Sequence, residues 1–382
     1  MAERDSVRCI RPALPPTGLI WPDAAPMTSL ASWQENANAP IMLGRHNKTL
    51  LITGGAGFIG SHLADLALAH GHRVIVLDAL TYAGSLENLE IARCQPGFTF
   101  VKGDIGDRAL VEDLLRAHQV DRVFHLAAES HVDNSITGPE PFLRTNVDGT
   151  FHLLEACRTV WERSGRPDGF RFIHISTDEV FGDLGPDDPP FDETTPYRPS
   201  SPYSASKAAS DLFARAWFRT FGLPVIVTNC SNNFGPRQHT EKMIPTMIRC
   251  ALAGRPLPVY GDGRNVRDWL YVGDHCRGLL LASERGQLGE TYCLGGGTEL
   301  PNIELVGLIC ANLDALRPRP DGRSYADQIA FVTDRPGHDR RYAIDGTKAQ
   351  LHLGYKAETS LAQGLRETIR SIVEGTERAS AA

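Results

Sequence analysis

Paired cysteines are absent from this chain. Its eight cysteines (Cys9, Cys94, Cys157, Cys230, Cys250, Cys276, Cys293 and Cys310) stand singly among 382 residues, with no Cys-x-x-Cys. That argues against a disulfide framework and a zinc site alike, and points to a reducing, cytoplasmic compartment and no metal centre. Runs of one charge are missing too. The 39 basic and 46 acidic residues give a net −7 without a basic tail, so no nucleic-acid partner is expected. No apolar stretch approaches the ~18–20 residues needed to span a bilayer. Nor does a basic start precede an apolar core of roughly 7–15 residues, as a secretory signal requires. Residues 1–47 show little periodicity and several prolines (Pro12, Pro15, Pro16, Pro22, Pro26). They read as a flexible extension, or as a start placed too early with Met42 as the alternative.

What is present begins at Lys48-Thr-Leu-Leu-Ile-Thr53, an apolar run that predicts a buried strand. Gly54, Gly57 and Gly60 follow in a Gly-x-x-Gly-x-x-Gly turn, then a helix from Ser61. Glycines there let the backbone turn tightly and approach a pyrophosphate held on the positive end of the next helix. A second strand, Arg73 to Leu77, ends at Asp78, about twenty residues on, where an acid accepts hydrogen bonds from ribose hydroxyls. Such an acid repels a 2′-phosphate, so NAD is favoured over NADP. A glycine-rich turn without ligand is the bland reading, and the strand, helix and acid in sequence disfavour it. The alternation continues with a strand Phe98 to Val101 ending near Asp104 and Ile105, a helix over 107–118, a strand Arg122 to Ala128 and a helix beginning at Thr145-Asn146. This rhythm predicts a Rossmann-type doubly wound parallel sheet. After the fourth strand, Ala127 and Ala128 permit close approach to a cofactor and Ser130 is in reach of substrate. His131 has no second ligand at metal spacing, so packing or hydrogen bonding is its expected role.

A short apolar, aromatic run, Phe170 to Ile175, predicts the next strand and places Ser176-Thr-Asp-Glu179 at its carboxyl end. Ligands of open α/β sheets bind beyond that end. Ser176-x-x-Glu179 also fits a helix capping box. Downstream, Tyr203-x-x-x-Lys207 stands at helical i, i+4 spacing, and the two motifs together suggest redox chemistry with acid–base steps. The loop 182–202 is rich in Pro, Gly and Asp and is a candidate cover for the pocket. After a strand Val225 to Thr228, the amide-rich Asn229-Cys-Ser-Asn-Asn-Phe-Gly-Pro-Arg237 has few structural reasons for its polarity. From there the rhythm loosens into pieces of a smaller, mixed α/β C-terminal lobe. Asp274 and Asn302 read as caps of helices through Ala282 and over 303–313. Asp334-Arg-Pro-Gly-His-Asp-Arg-Arg341 clusters basic groups whose planar forks suit a diphosphate, although most such clusters are solvated surface.

These residues resemble the extended short-chain dehydrogenase/reductase superfamily and, within it, the dTDP-glucose 4,6-dehydratases. The likeness runs from about residue 48 to 370. It rests on Leu80-Thr-Tyr-Ala-Gly84, His125-Leu-Ala-Ala-Glu-Ser-His-Val-Asp133, Ser176-Thr-Asp-Glu-Val180, Ser231-Asn-Asn233, Asn265-Val-Arg-Asp-Trp-Leu270 and Asp334 to Arg341. Phe181 and Phe234 depart from it, standing where the family commonly has tyrosine. The resemblance implies three stages. Tyr203 takes the proton of the sugar 4-hydroxyl while hydride passes from C4 to NAD. Glu179 then removes the C5 proton while protonated Asp178 serves the departing C6 hydroxyl, and hydride finally returns to C6. A free tyrosine titrates near ~10, and Lys207 with the nicotinamide charge is expected to favour phenolate. Thr177 orients the 4-oxygen. The resemblance further implies that Phe58, Ile59, Asp78, Thr81, Asp104, Ile105, Ala128, Thr145, Tyr203, Lys207 and Asn233 join the glycines around the cofactor. It places Ser130, Thr177, Asn232, Lys242, Arg267, Asn302, Arg335 and His338 around the sugar nucleotide. It also implies a homodimer through helices of the Rossmann domain.

The expected division is an extension over 1–47, an NAD-binding domain over 48–235 to which 268–295 returns, a nucleotide-sugar lobe from 236–267 and 296–375, and a tail over 376–382. Two rivals remain within enzymes: a dehydratase of UDP- or CDP-sugars, and a UDP-sugar 4-epimerase, which needs no elimination acid and so no Asp178-Glu179 pair. A non-catalytic NAD-binding regulator is the rival from another class. It would be free to lose Tyr203, Lys207 and the carboxylates, and all are present.

Overall fold

Thr49–Thr53 forms β1, buried along its whole length, in a computed structural model that describes residues 47–381. The extension expected over 1–47 lies, but for its last residue, outside the described residues. β1 is followed by α1 (Phe58–Ala69), β2 (Arg73–Asp78), β3 (Phe98–Lys102), α2 (Arg108–His118), β4 (Arg122–His125), α3 (Thr150–Arg163), β5 (Arg171–Thr177), α4 (Pro202–Phe221) and β6 (Val225–Cys230). A seventh strand of the same sheet, Thr291–Leu294, joins beyond β6, giving the order β3-β2-β1-β4-β5-β6 and then this strand. Every pairing in it is parallel. A parallel sheet is covered on both faces, which is why β1 and β6 are buried along their whole length rather than alternating. The order reverses between β1 and β4, and a crevice opens there at the carboxyl ends.

Between β6 and that seventh strand the chain makes β7 (Asn232–Phe234), α5 (Met243–Leu252), β8 (Leu257–Tyr260), β9 (Val266–Tyr271) and α6 (Val272–Arg285). The seventh strand is then β10, and β11 (Glu299–Pro301), α7 (Asn302–Leu316), β12 (Ile329–Val332) and α8 (Leu361–Ala381) follow. Two small sheets, β11-β9-β7 and β12-β8, stand beside the large one. The main core lies between the large sheet and its helices. Val123, Phe172 and Val225 of the sheet pack with Leu153 and Leu154 of α3 and Trp217 of α4.

Local chemistry explains two of the helix starts. Asp107 caps α2 by accepting the Leu110 N–H at 3.1 Å. α4 opens with a reciprocal capping box in which the Ser201 side chain accepts the Ser204 N–H at 3.1 Å and Ser204 Oγ accepts the Ser201 N–H at 3.0 Å. That fixes where Tyr203 leaves the first turn.

Several expectations need correction. α1 starts at Phe58, three residues before Ser61, because Gly57 already has extended, N-cap geometry. The helix expected from Thr145 starts at Glu140 and passes through a π-helical segment, Leu143–Gly149, before α3. Asp274 lies inside the first turn of α6 and does not cap it. Its carboxylate accepts the Thr359 N–H at 2.8 Å and pairs with Arg277. Asn302 is the first residue of α7, and the cap position belongs to Pro301.

Two glycines of the first turn are required sterically. Gly54 has φ +67°, and a Cβ there would lie 2.7 Å from the Ala127 nitrogen. A Cβ on Gly60 would lie 2.4 Å from the Gly54 oxygen and 2.7 Å from Gly55 Cα. Both obstacles are backbone, so the strand–turn–helix junction must open to admit a methyl. Gly60→Ala is therefore expected to lose about 1–3 kcal/mol of stability, read as a lower urea midpoint at unchanged m. An unshifted midpoint would contradict this packing.

Candidate active site

Beyond the carboxyl ends of the large sheet lies a cavity of about 500 Å³. Of the basic cluster, Arg340 and Arg341 pair with Asp262 and Glu299 away from its wall. Every residue that the resemblance assigns to cofactor, sugar nucleotide or chemistry lines the cavity: Gly54, Gly57, Phe58, Ile59, Gly60, Asp78, Thr81, Asp104, Ile105, Ala128 and Thr145 from the strand ends and turns of the first half, and Thr177, Asp178, Glu179, Tyr203, Lys207 and Asn233 from the second. Ser130, Asn232, Lys242, Arg267, Asn302, Arg335 and His338 complete the set. The loop 182–202, expected as a cover, contributes nothing to the wall. It is tied elsewhere, with Phe191 bridging to Ile344 and the Leu184 N–H bonded to the Arg341 carbonyl.

The cofactor side fits a dinucleotide. Gly57 leaves its wall open, since the nearest atom a Cβ would meet is the Gly54 oxygen at 3.2 Å. Asp78 has a second duty, because its carboxylate accepts the Ala56 N–H at 2.9 Å and the Leu80 N–H at 2.8 Å. It thus fixes the glycine turn while keeping lone pairs free for a ribose. A Cβ on Gly84 would sit 2.7 Å from Asp78 Oδ1, so glycine there clears the carboxylate. The π-helical segment sets Asn146 facing the loop after β4. Its side chain accepts the Glu129 N–H at 2.8 Å and donates to the Glu129 carbonyl at 3.0 Å. Single π-turns of this kind recur at functional sites. Asn233 lines the cavity with its amide turned inward, to the Ser231 carbonyl at 3.0 Å and His275 Nδ1 at 2.9 Å.

At the end of β5 the local structure is not a capping box on Ser176. Thr177 is the cap of a single 3₁₀ turn, Asp178–Phe181, and its hydroxyl accepts the Glu179 N–H at 3.3 Å. The turn presents two adjacent carboxyls to the cavity in unlike surroundings. Burial, the Glu179 charge and Asp268 push the Asp178 carboxyl well above the usual range, against weaker help from the Thr177 hydroxyl and Arg267. Asp178 Oδ2 is buried without a protein partner. Burial also raises Glu179, but Lys242, Arg335 and Arg267 oppose that rise. The pair is therefore set up as one acid and one base.

At Tyr203 the surrounding protein groups oppose ionisation. Burial, Glu179, Cys230 and Asp178 hold its phenol well above the ordinary value, with the Thr177 hydroxyl pulling the other way. Lys207 does not lead the balance at the phenol, since its ammonium donates to the Ile175 carbonyl at 2.8 Å. Sequence spacing places the two one turn apart but says nothing about the carboxylates facing them.

On the sugar-nucleotide side, Lys242 Nζ donates to the Ser130 carbonyl at 2.7 Å. Arg335 pairs with Asp133 at 3.1 Å and keeps its buried Nε unsatisfied. The Arg267 guanidinium donates to the Asp339 carbonyl at 2.9 Å and lies 4.2 Å over the Tyr342 ring. His338 bonds Asp334 at 2.6 Å and meets Tyr260 edge-on at 6.1 Å. The buried side-chain oxygens of Asn232 and Asn302 have no protein partner. Unsatisfied polar groups around one cavity mark where a polar ligand completes the bonding. Sequence reasoning missed Asp133, Glu241 and Tyr260 on the wall. Asp133 sits within a quoted motif, whereas Glu241 and Tyr260 carried no signal that a charge or ring would turn inward.

A family model described as GDP-mannose 4,6 dehydratase matches residues 51–368. The chain is 56% identical to a dTDP-glucose 4,6-dehydratase of Xanthomonas campestris pv. campestris (strain B100), over 84% of this chain and 92% of that protein. It is 50% identical to dTDP-glucose 4,6-dehydratase 1 of Escherichia coli (strain K12), over 86% and 93%. Among solved structures it is similar to DesIV, a dTDP-glucose 4,6-dehydratase from Streptomyces venezuelae with NAD and TYD bound. That likeness has a TM-score of 0.78 at 46% identity, covering 86% of this chain and 98% of that one. A UDP-glucose 4-epimerase from Thermotoga maritima with UDP-glucose superposes almost as well, at TM-score 0.76, but at 31% identity over 86% and 99%. The backbone alone thus does not separate the two chemistries.

The raised Asp178 carboxyl has a consequence for stability. Above about pH 4 the unfolded chain has lost this proton, while the folded chain keeps it up to the raised value. The folded form then binds more protons, and stability falls as pH rises through that window. Asp178→Asn removes the penalty and should melt higher than the parent at pH 7, the gap closing towards pH 4. Equal melting at both pH values would contradict the buried acid.

Proposed function

The chain belongs to the dTDP-glucose 4,6-dehydratase family, and from this we infer that it is an NAD-dependent hydro-lyase converting dTDP-glucose to dTDP-4-keto-6-deoxyglucose. The observation that carries the reading is the adjacent Asp178-Glu179 pair beside Tyr203 in one cavity, with both carboxyls raised by burial but only Glu179 opposed by a lysine and two arginines. What NAD supplies when bound is a reversible two-electron acceptor, so no external oxidant is consumed. Gly54, Gly57, Gly60 and Asp78 would hold it, the amino end of α1 offering the backbone N–H groups that suit a pyrophosphate. Tyr203 takes the 4-hydroxyl proton, and Thr177, beside the phenol, orients the 4-oxygen. Burial and then the neighbouring carboxylates oppose ionisation of the phenol, so it needs positive charge nearby, and Lys207 one turn along the same helix is the protein's own source. Once C4 is a ketone the C5 proton is acidic, and Glu179 removes it while Asp178 protonates the leaving C6 hydroxyl. Arg335, Lys242 and Arg267, which favour the charged form of Glu179, also suit the diphosphate. We propose the same division of labour for the two lobes, with 48–235 and 268–295 for NAD and 236–267 with 296–375 for the sugar nucleotide.

Incubation of the purified chain with dTDP-glucose in deuterated water, read by mass spectrometry, tests the reading. Loss of one water with deuterium at C5 is expected. Turnover of UDP- or CDP-glucose alone would move the substrate, and a product of unchanged mass would replace dehydration by epimerisation. Glu179→Gln should lower kcat by about 10²–10⁴ and abolish exchange at C5. Asp178→Asn should slow water loss similarly while leaving exchange at C5, because an amide keeps the geometry but supplies no proton.

We further propose a cytoplasmic homodimer. The described cysteines are all unpaired, which supports a reducing compartment, and among the described residues no helix is long and apolar enough to cross a membrane. Leu143, Phe151 on α3 and Leu212 on α4 are 57%, 38% and 57% exposed. Apolar side chains open to this degree on two adjoining helices suit burial against a second copy. Leu212→Glu should sediment as a monomer under conditions where the parent sediments as a dimer, and an unchanged dimer would rule out this face.

A further inference from the structure

Behind the cavity wall lies a buried carboxylate that the reaction above does not use. Asp211 is on α4, one turn beyond Lys207 and two beyond Tyr203, and is 0% exposed. It takes no part in the cavity wall and lies behind it. Its two oxygens are nevertheless fully engaged. His174 Nε2 on β5 lies 2.9 Å from one oxygen, and Ser176 Oγ donates to the other at 2.8 Å. Tyr197 OH, from the loop before α4, donates at 2.8 Å and Asn229 Nδ2 on β6 at 3.4 Å. Asn229 donates in addition to the Thr177 carbonyl at 3.0 Å. Arg215 braces Tyr197 from outside, donating to its hydroxyl at 2.8 Å with the guanidinium 5.0 Å over its ring.

The placement of these bonds is informative. Ser176 immediately precedes Thr177, Asp178 and Glu179, and Asn229 holds the Thr177 carbonyl, so both tether the reacting tripeptide to one carboxylate on the helix that carries Tyr203 and Lys207. We propose that Asp211 is a positioning residue of the dehydratase: its carboxylate locks the end of β5 to α4, setting Asp178 and Glu179 against Tyr203, and serves as the counter-charge that keeps Lys207 an ammonium. The inference rests on the dehydratase reading and extends it to a group outside the cavity.

Electrostatics agree with the geometry. Burial acts to raise the Asp211 carboxyl, but the His174 bond, the Lys207 charge and the Ser176 bond outweigh it and hold the group below its usual value. Burial lowers Lys207, and Asp211 is the leading influence opposing that, with Cys230 of β6 next. The other titratable groups near the pair offer no substitute anion. His174 of β5 is lowered first by burial and then by Lys207, and His125 of β4 by burial, His174 and Lys207. Burial pushes the Cys230 thiol of β6 above its usual value, and Arg215 of α4 is a cation. Loss of the Asp211 charge therefore leaves Lys207 buried without a carboxylate behind it, which is strongly unfavourable for an ammonium.

The test is Asp211→Asn, which keeps the volume and removes the charge. In protein carrying ¹³Cε-labelled lysine, with the Lys207 resonance assigned by its loss in Lys207→Arg, the Lys207 titration midpoint should fall by at least one unit, a tenfold change in its ionisation constant. The alkaline limb of kcat against pH should move down with it, and kcat at neutral pH should fall at least tenfold while KM for dTDP-glucose stays within about threefold. A midpoint that stays in place in folded Asp211→Asn protein overturns the proposal, whatever the activity. A purely structural role would lower the melting temperature and leave the midpoint and the limb unmoved. Ser176→Ala, a smaller change that cuts only the tether, decides the positioning half even where Asp211→Asn does not fold. There kcat should fall about five- to tenfold with KM and the Lys207 midpoint unchanged, and unaltered kcat overturns the proposal. If the parent fails to turn over dTDP-glucose, the dehydratase reading fails, and the Lys207 titration still decides on Asp211.

Discussion

Two neighbouring carboxyl groups stand at the end of β5, Asp178 buried and Glu179 half-buried, and most of the local structure exists to make that tolerable. A buried carboxylate beside another is strongly disfavoured unless one of them keeps its proton. Here the asymmetry comes from which charges stand behind each group. Asp268 lies behind Asp178 and accepts the Gly296 and Thr298 N–H groups at 3.0 and 2.8 Å, so it adds negative charge where Asp178 needs a proton. Lys242, Arg335 and Arg267 come from later segments and face Glu179. The acid and the base are thus assigned by residues up to 156 positions away in the chain, between Glu179 and Arg335.

The same constraint organises the rest of the cavity. The parallel sheet ends at a crevice because strand order reverses between β1 and β4. The glycine turn is rigid because Asp78 holds its backbone from β2, and the loop after β4 is held by Asn146 from the π-helical segment. Lys242 and Arg335 reach back to the Ser130 carbonyl and to Asp133, so the two sides of the cavity are already joined through polar contacts. Such contacts are the kind a diphosphate can share, since arginine forks and an ammonium retain donors after one bond.

Much of this was legible from the residues in order. Gly54, Gly57, Gly60 and Asp78 announce their use because each position has a steric or hydrogen-bonding demand that few residues meet. Tyr203 and Lys207 announce theirs through helical spacing. The misreadings have a common cause. Ser176-x-x-Glu179 and Asp274 look like caps because a cap is a local pattern, yet their side chains were taken by Asp211 and Thr359, partners 35 and 85 residues away. The loop 182–202 has the composition of a cover but is drawn to Ile344 and Arg341 instead. Asp211 itself stands at i+4 from Lys207, so its face of α4 was readable. Its role was not, because an acid on a helix is ordinarily solvated.

The sequence by itself determined the alternation of strand and helix, the dinucleotide turn, and the reacting groups that meet at the cavity. Those depend on spacing along the chain and on what single residues can or cannot do sterically. Only the tertiary structure decided which carboxyl is raised further, which neighbours oppose ionisation of the Tyr203 phenol, and that a carboxylate behind the wall ties the reacting strand to the reacting helix. These are properties of charge in a low-dielectric interior, where the energy depends on distance between groups and on burial. Neither quantity exists until the chain has folded and brought β4, β5, β6 and α4 together.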